Sequence, residues 1–343
     1  MKIRIKKFNQ NNKFKSVKFE VIGQNKLYYK LIKNLTRKSF LLLLIILFPT
    51  IISIIIIFSK KIFQNITNFD YENYEKNIIT EEMIQTASWN ITNQEAFLIN
   101  GIIRKHKPKK CLEIGVGKGS ISLLILNAIK DIKNSLLVSI DLHRHVQDDG
   151  SKHVGYKVEK YFSEKVKNWK LLTGDMPFRF LEKLNLKFDF AIIDTTNKMP
   201  GEVLNIIEIM PFLEDNAIII FPNILSHLKY DIVNVNKTIP ISTNKKIPTS
   251  MLLMSSLVGK KIIYYNKNKM MGNVGVIFLK KSQKKYYENY FLLLMCLWED
   301  MLTDELIFKY RLFIEKYYKE QKLINIFENA VFHNKEYQKN IKL

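Results

Sequence analysis

The sequence predicts an α/β fold: a seven-stranded sheet with helices on both faces, preceded by a membrane helix and followed by a helical appendage. Three observations predict it. Between residues 85 and 281 short apolar runs of strand length alternate with helix-period segments, which is the pattern of βαβ units. The stretch Cys111-Leu-Glu-Ile-Gly-Val-Gly-Lys-Gly-Ser120 joins one such strand to one such helix through three glycines at alternate positions. Upstream, Phe40–Phe58 is a run of 19 residues without a single charge.

The elements follow in order. Thr92–Arg104 is an apolar-periodic helix, and the strand that ends at Glu113 comes next. Gly115, Gly117 and Gly119 supply the left-handed dihedrals and close backbone approach that a ligand-cradling strand-to-helix turn requires. A helix over Ser120–Ile132 leads to a strand over Leu136–Leu142, where Asp141 lies 22 residues beyond Gly119. An acidic side chain at that place in a βαβ unit can accept both hydroxyls of a ribose. Trp169–Thr173 reads as the third strand, followed by Gly174-Asp175-Met176-Pro177. Phe188–Asp194 is the fourth, marked by its continuous apolar run as buried on both faces. A helix over Pro200–Met210, with proline in its first turn, precedes the fifth strand, Leu213–Pro222. Lys260–Tyr265 and Asn273–Lys280 complete the seven. Carboxylates at the carboxyl ends of successive strands fit a single ligand crevice.

The order Glu-x-Gly-x-Gly-x-Gly, with the acidic residue before the glycines, resembles motif I of the class I, Rossmann-like, S-adenosylmethionine-dependent methyltransferases. The resemblance extends over roughly Asn93 to Lys280 and is closest in pattern to the small-molecule and sugar O-methyltransferase branch. It implies S-adenosyl-L-methionine as cofactor, a seventh strand inserted antiparallel, and a donor site made by Glu113, Gly115, Gly117, Gly119, Asp141, Asp175 and Met176. In that family the position of Asp175 carries an acidic residue reaching the adenine amino group, with an apolar neighbour on the ring.

The acceptor half matches less well. In the metal-dependent branch one aspartate ends strand four and an Asp-Asn pair ends strand five. Asp194 and Asn223 match the outer ligands, but Pro222 occupies the middle position and offers no side-chain oxygen, so no metal is assigned. The run after strand four, Asp194-Thr-Thr-Asn197-Lys198, also departs from the Asp-Gly-Asp-His pattern of sugar-modifying relatives. Methyl transfer needs chiefly alignment, and a hydroxyl acceptor profits from a general base. Candidates are Asp194, Lys198, His143, His145 and His227; Asp194 and His227 are the catalytic pair expected, because both belong to loops after central strands.

As a helix Phe40–Phe58 would be about 28 Å long, near the roughly 30 Å hydrocarbon core. Residues 1–38 hold 12 Lys or Arg against Glu20 alone, giving +11 of the chain's +22. The positive-inside bias therefore puts the N-terminus in the cytoplasm and, for a simple span, the catalytic domain outside, away from the cytoplasmic methyl donor. Pro49, at the middle of the run, allows a re-entrant helix-break-helix that returns both flanks to the cytoplasmic side; its other reading is a kinked spanning helix. The expected localisation is the cytoplasmic membrane, with the catalytic domain facing the cytoplasm. The basic arm suits anionic lipid headgroups. The remaining lysines form no aromatic-basic module, so no nucleic acid is expected as partner. Cys111 and Cys296 imply neither a disulfide framework nor a zinc site, and both read as small core residues.

The chain divides into a basic arm (1–38), a transmembrane or re-entrant segment (39–59), a linker (60–84), the methyltransferase-like domain (85–281) and a helical extension (282–343). That extension contains helices over Tyr286–Trp298 and Leu306–Lys319 and packs on the domain, forms a homodimer surface or lies on the bilayer. The expected function is membrane-associated methyl transfer to a glycan, lipid-linked sugar or other small hydroxyl acceptor. Two alternatives remain: a non-catalytic membrane-tethered protein with a degenerate fold, and a nucleic-acid methyltransferase. The latter would be expected to carry an Asp/Asn-Pro-Pro-Tyr/Phe run where Asp194-Thr-Thr-Asn197 stands.

Overall fold

A computed structural model of the chain describes residues 2–5, 19–22 and 93–341, except 162–165, 196–197, 223, 225–248, 266–270 and 281–282. The apolar run Phe40–Phe58 with Pro49, the linker 60–84, Asn197, Asn223 and His227 lie outside the described residues. Chain contacts divide the protein after Thr67 into two compact units. In the first, the strands β1 (Lys2–Ile5) and β2 (Phe19–Ile22) pair antiparallel, Lys2 opposite Ile22. Among the described residues no helix is long and apolar enough to cross a membrane.

The second unit opens with α1 (Asn93–His106) and β3 (Lys110–Ile114), and continues through α2 (Ser120–Ile129) and β4 (Leu136–Asp141). A short hairpin, β5 (His145–Val146) and β6 (Asp149–His153), intervenes before α3 (Tyr156–Tyr161). Then come β7 (Trp169–Thr173), α4 (Pro177–Leu184), β8 (Phe188–Ile193), α5 (Gly201–Ile209) and β9 (Leu213–Phe221). The helix α6 (Thr249–Ser256) precedes β10 (Gly259–Tyr265) and β11 (Met271–Leu279). Three helices close the chain: α7 (Tyr287–Phe291), α8 (Asp304–Tyr318) and α9 (Gln321–Ile341).

The seven strands form one sheet in the order β10-β11-β9-β8-β3-β4-β7. The block from β9 to β7 is parallel throughout, and β11 inserts antiparallel beside β9, with Gly275 opposite Phe221. The insertion expected of the seventh strand is therefore present. Strands β3 and β8 lie at the centre, and each is buried over nearly its whole length. Continuous apolar runs are required there because helices cover both faces of a parallel sheet. Every residue of α2 is buried, which agrees with its apolar composition all round. Asp189 near the start of β8 accepts the N–H groups of Lys109 at 2.9 Å and Lys110 at 3.0 Å, fastening the entry to β3.

Boundaries differ from the sequence expectation where polar turns truncate an apolar pattern. The helix expected to reach Ile132 ends at Ile129, and Ser135 Oγ caps it by donating to the Ile129 carbonyl at 3.0 Å. The hairpin β5–β6 has no counterpart in the sequence reading: its second strand is polar and exposed, so it shows no period-two apolar pattern. The helix expected over Tyr286–Trp298 breaks into α7 and a 3-10 turn, Leu292–Met295. Cys296 follows in extended conformation and is half-buried, not a core residue; Cys111 is fully buried.

The C-terminal helices are built into the core of the second unit. Tyr310 of α8 donates its hydroxyl to Glu208 of α5, and Tyr318 donates to the Ile207 carbonyl at 2.7 Å. Phe178 of α4 lies 5.7 Å from the Tyr310 ring and 5.3 Å from that of Phe313. Aromatic burial of this kind supplies much of the energy that holds a helix to its neighbours. Asn334 of α9 accepts the Trp298 N–H at 2.8 Å and fixes the connection before α8.

Candidate donor and acceptor site

The sheet brings the carboxyl ends of β3, β4, β7, β8 and β9 to one edge of the second unit, where Glu113, Gly115, Gly117, Gly119, Asp141, Asp175, Met176 and Asp194 lie. After Ile114 the chain turns through Gly115 (φ +85°), Gly117 (φ +50°) and Gly119 (φ +88°), all left-handed. The reasons for glycine differ along the turn. A Cβ on Gly115 would come within 2.1 Å of the Asp194 carbonyl oxygen, because the turn passes directly over the end of β8. A Cβ on Gly119 would meet the backbone of Gly155 at 3.0 Å. At Gly117 nothing lies within 4 Å, so the turn faces open space there. Such a cradle is the shape a bound ligand needs.

Asp141, at the end of β4, holds this turn in place. Its Oδ2 accepts the N–H groups of Val116 at 2.9 Å and Gly117 at 3.0 Å, and its Oδ1 accepts that of His143 at 2.9 Å. A carboxylate offers about four acceptor positions, which leaves capacity for a ligand hydroxyl. Glu113 is placed differently from the other predicted donor residues. It is fully buried beneath the turn, where its Oε2 accepts Ser122 at 2.6 Å and Ser139 at 2.5 Å. Trp169 Nε1 donates in turn to Ser139 at 2.9 Å. Burial pushes the Glu113 carboxyl up to about 7 against the pull of the two hydroxyls, and the charges of Asp194 and Asp141 push the same way. The network ties α2, β4 and β7 to the strand that carries the glycines.

Gly174 (φ +86°) follows β7 and donates its N–H to the Asp141 carbonyl at 3.1 Å. Next to it Asp175 accepts the Met176 N–H at 2.8 Å and both contacts of Arg179 Nη1, at 3.1 and 3.0 Å. Burial raises the Asp175 carboxyl, but this N–H group and the guanidinium outweigh it and hold the group below its ordinary range. Met176 is half-buried and immediately precedes α4. Asp194, half-buried at the end of β8, donates its N–H to the Ile114 carbonyl at 2.9 Å. Its neighbours are Thr195, which accepts Asn205 at 3.1 Å, and the buried Glu202. Glu202 accepts the Ser250 hydroxyl, and burial with the Asp194 charge raises its carboxyl to about 7. Sequence reasoning passed over Glu202; an acid at the first turn of a helix is ordinarily a solvated residue, and only tertiary packing buries it.

Two of the other candidates have partners of their own. His143 pairs with Gln147 at 2.7 Å, His145 is exposed on the hairpin, and Lys198 reaches Asp300 at 3.3 Å. Pro222 is buried after β9. Among the described residues no group of three His, Cys, Asp or Glu could hold a metal ion. An open pocket of about 450 Å³, lined by Arg104, Lys107, Lys109 and Lys133, opens at the opposite, amino ends of the strands. Its cations flank the C-termini of α1 and α2, where unpaired carbonyls attract positive charge.

Residues 112–224 match the family model of a methyltransferase domain. Similar solved structures include the O-methyltransferase TomG of Streptomyces achromogenes in complex with SAM, at 14% identity, covering 55% of this chain and 81% of that one with a TM-score of 0.39. They also include the methyltransferase PaMTH1 of Podospora anserina bound to SAH, at 17% identity, 64% and 95% coverage and a TM-score of 0.41. An O-methyltransferase of Bacillus cereus in complex with SAH shows 11% identity, 64% and 97% coverage and a TM-score of 0.41. Comparison with curated proteins gives no match. The glycine turn lies within the residues that match the methyltransferase domain model, and the antiparallel strand expected of that fold is present in the sheet.

Proposed function

We propose that this protein is a membrane-associated, S-adenosylmethionine-dependent methyltransferase acting on a hydroxyl of a glycan, a lipid-linked sugar or another small acceptor. The observation that carries the donor assignment is the turn itself: three left-handed glycines, open space at Gly117, and Asp141 binding the loop from the end of the next strand. The residues fit the group. Asp141 would hold the ribose, Asp175 and Met176 would border the adenine, and Gly115, Gly117 and Gly119 would admit the amino-acid end. Glu113 supports the turn from below. The bound donor supplies a methyl group on a positively charged sulfonium sulfur. Asp194 and Asp141, close enough for both charges to act on Glu113, give this edge of the sheet a negative lining that suits a cation.

The catalytic role falls to alignment and proton removal. Asp194 would receive the proton that an acceptor hydroxyl gives up; its position at the end of β8, beside the glycine turn, supports this. His227, six residues beyond β9 in the sequence, is the second candidate base. Oxygen as the acceptor atom rests on the resemblance to the O-methyltransferase branch. Membrane association rests on Phe40–Phe58 and the basic arm, with the domain on the cytoplasmic side, where the donor is made.

Calorimetric titration of the full-length chain, in detergent, with S-adenosylhomocysteine tests the reading. Micromolar binding is expected; no binding by folded protein would overturn the donor assignment. Cysteines placed at Ser16 and Asn73 test the topology in intact cells. Protection of both from an external reagent is expected, and labelling at position 73 would put the domain outside.

A further inference from the structure

The segment after β4 holds a cation with no partner among the described residues. Arg144 is exposed, and among the described residues its guanidinium makes no hydrogen bond and no ion pair. Its position is nevertheless well defined by what it crosses. A Cβ built on Gly174 would meet Arg144 Nε at 2.6 Å, Cγ at 3.1 Å and Cδ at 3.4 Å, so the side chain lies flat across that glycine. The Arg144 carbonyl accepts the Val154 N–H at 3.0 Å, which anchors its backbone to the strand end of the hairpin.

Gly174 sits between the two carboxylates assigned to the donor. Its N–H is bonded to Asp141, and Asp175 is the next residue. The nearby acid at the adenine end does not neutralise Arg144, because Asp175 is occupied by Arg179. Leu142, immediately after Asp141, leaves 51% of its surface exposed at the same strand end. A planar cation laid over glycine beside an exposed apolar side chain offers a flat aromatic ring a surface on which to stack. Guanidinium groups stack on such rings, and the contact strengthens when water is excluded.

We propose that Arg144 stacks on the adenine of the bound donor and forms the outer wall of its slot. This rests on the donor assignment above and adds to it a residue that determines specificity for the base. Gly174 is then glycine for two reasons: its left-handed backbone, and the space it leaves for the arginine stem.

The test is calorimetry on the full-length chain with two probes, S-adenosylhomocysteine and adenosine. Arg144→Ala is expected to weaken both by a similar factor of roughly 10, within the range of a partly desolvated cation–π contact. Arg144→Lys is expected to recover only part of the loss, since an ammonium cannot stack as a plane. Unchanged affinity of Arg144→Ala for both probes would overturn the proposal. A loss for S-adenosylhomocysteine with none for adenosine would also overturn it, moving the arginine to the amino-acid end. Gly117→Arg, run beside these, separates this failure from that of the donor assignment: if it abolishes binding while Arg144→Ala does not, only the arginine's role is lost. No binding by the folded parent chain would remove both.

Discussion

Gly117→Arg leaves the chain folded and weakens binding of S-adenosylhomocysteine at least about 100-fold, which corresponds to about 2.7 kcal/mol. The structure separates the two effects because Gly117 faces open space: a Cβ there meets no atom within 4 Å, so the arginine extends into the cradle. The remaining cost is the left-handed backbone at φ +50°, about 1–2 kcal/mol for a residue with a Cβ, or a fall in Tm of a few degrees. Asp141→Ala behaves differently. It removes the acceptor of three backbone N–H groups, those of Val116, Gly117 and His143, so affinity and thermal stability fall together. Calorimetry and thermal denaturation on the same samples distinguish the pair. A Gly117→Arg protein that binds as tightly as the parent would show that the cradle is not the donor site.

The second large effect concerns the buried carboxyl of Glu208. It is fully buried between α5 and α8, where Oε1 accepts the Tyr310 hydroxyl and Oε2 accepts the Phe178 N–H at 3.2 Å. Burial pushes the group up to about 8, and these two donors oppose the rise without cancelling it. The sign follows from linkage. A carboxyl that is harder to ionise in the folded state binds more protons there than in the unfolded chain. Its contribution is therefore full below its unfolded value near 4.5 and is lost as pH rises toward 8. At pH 7 the loss amounts to about 3 kcal/mol. Glu113 and Glu202, each raised to about 7, act in the same direction. Glu208→Gln keeps the shape and cannot ionise, since its amide can accept the Phe178 N–H and donate to the Tyr310 oxygen. It is expected to be more stable than the parent at pH 8 and to flatten the decline between pH 5 and 8. Denaturant melts at the two pH values check this; an unchanged slope would mean that Glu208 is charged or solvated in the folded protein.

Glu208 also shows where sequence reading stops. In the sequence it is one acid within an apolar helix, and its partner Tyr310 lies 102 residues away. Nothing local joins them. The hairpin carrying His145 and His153 escaped for a related reason: exposed polar residues impose no period. Likewise Arg144 and Gly174, 30 positions apart, are ordinary in isolation and meaningful only once β4 and β7 lie side by side. Cys296 read as a core residue because its neighbours are apolar, yet the helix breaks just before it.

What the sequence determined by itself is the sheet and the donor turn. Buried parallel strands must be continuous apolar runs, left-handed turns with close approaches need glycine, and both requirements are written within a few adjacent residues, as in Cys111–Ser120 and Phe188–Ile193. The tertiary structure alone decided the roles of the acids. It put Glu113 beneath the turn as a support, used Asp141 to bind the loop, and buried Glu202 and Glu208. The charge state and partners of a carboxyl depend on desolvation and on residues distant in the chain, and no local pattern encodes either.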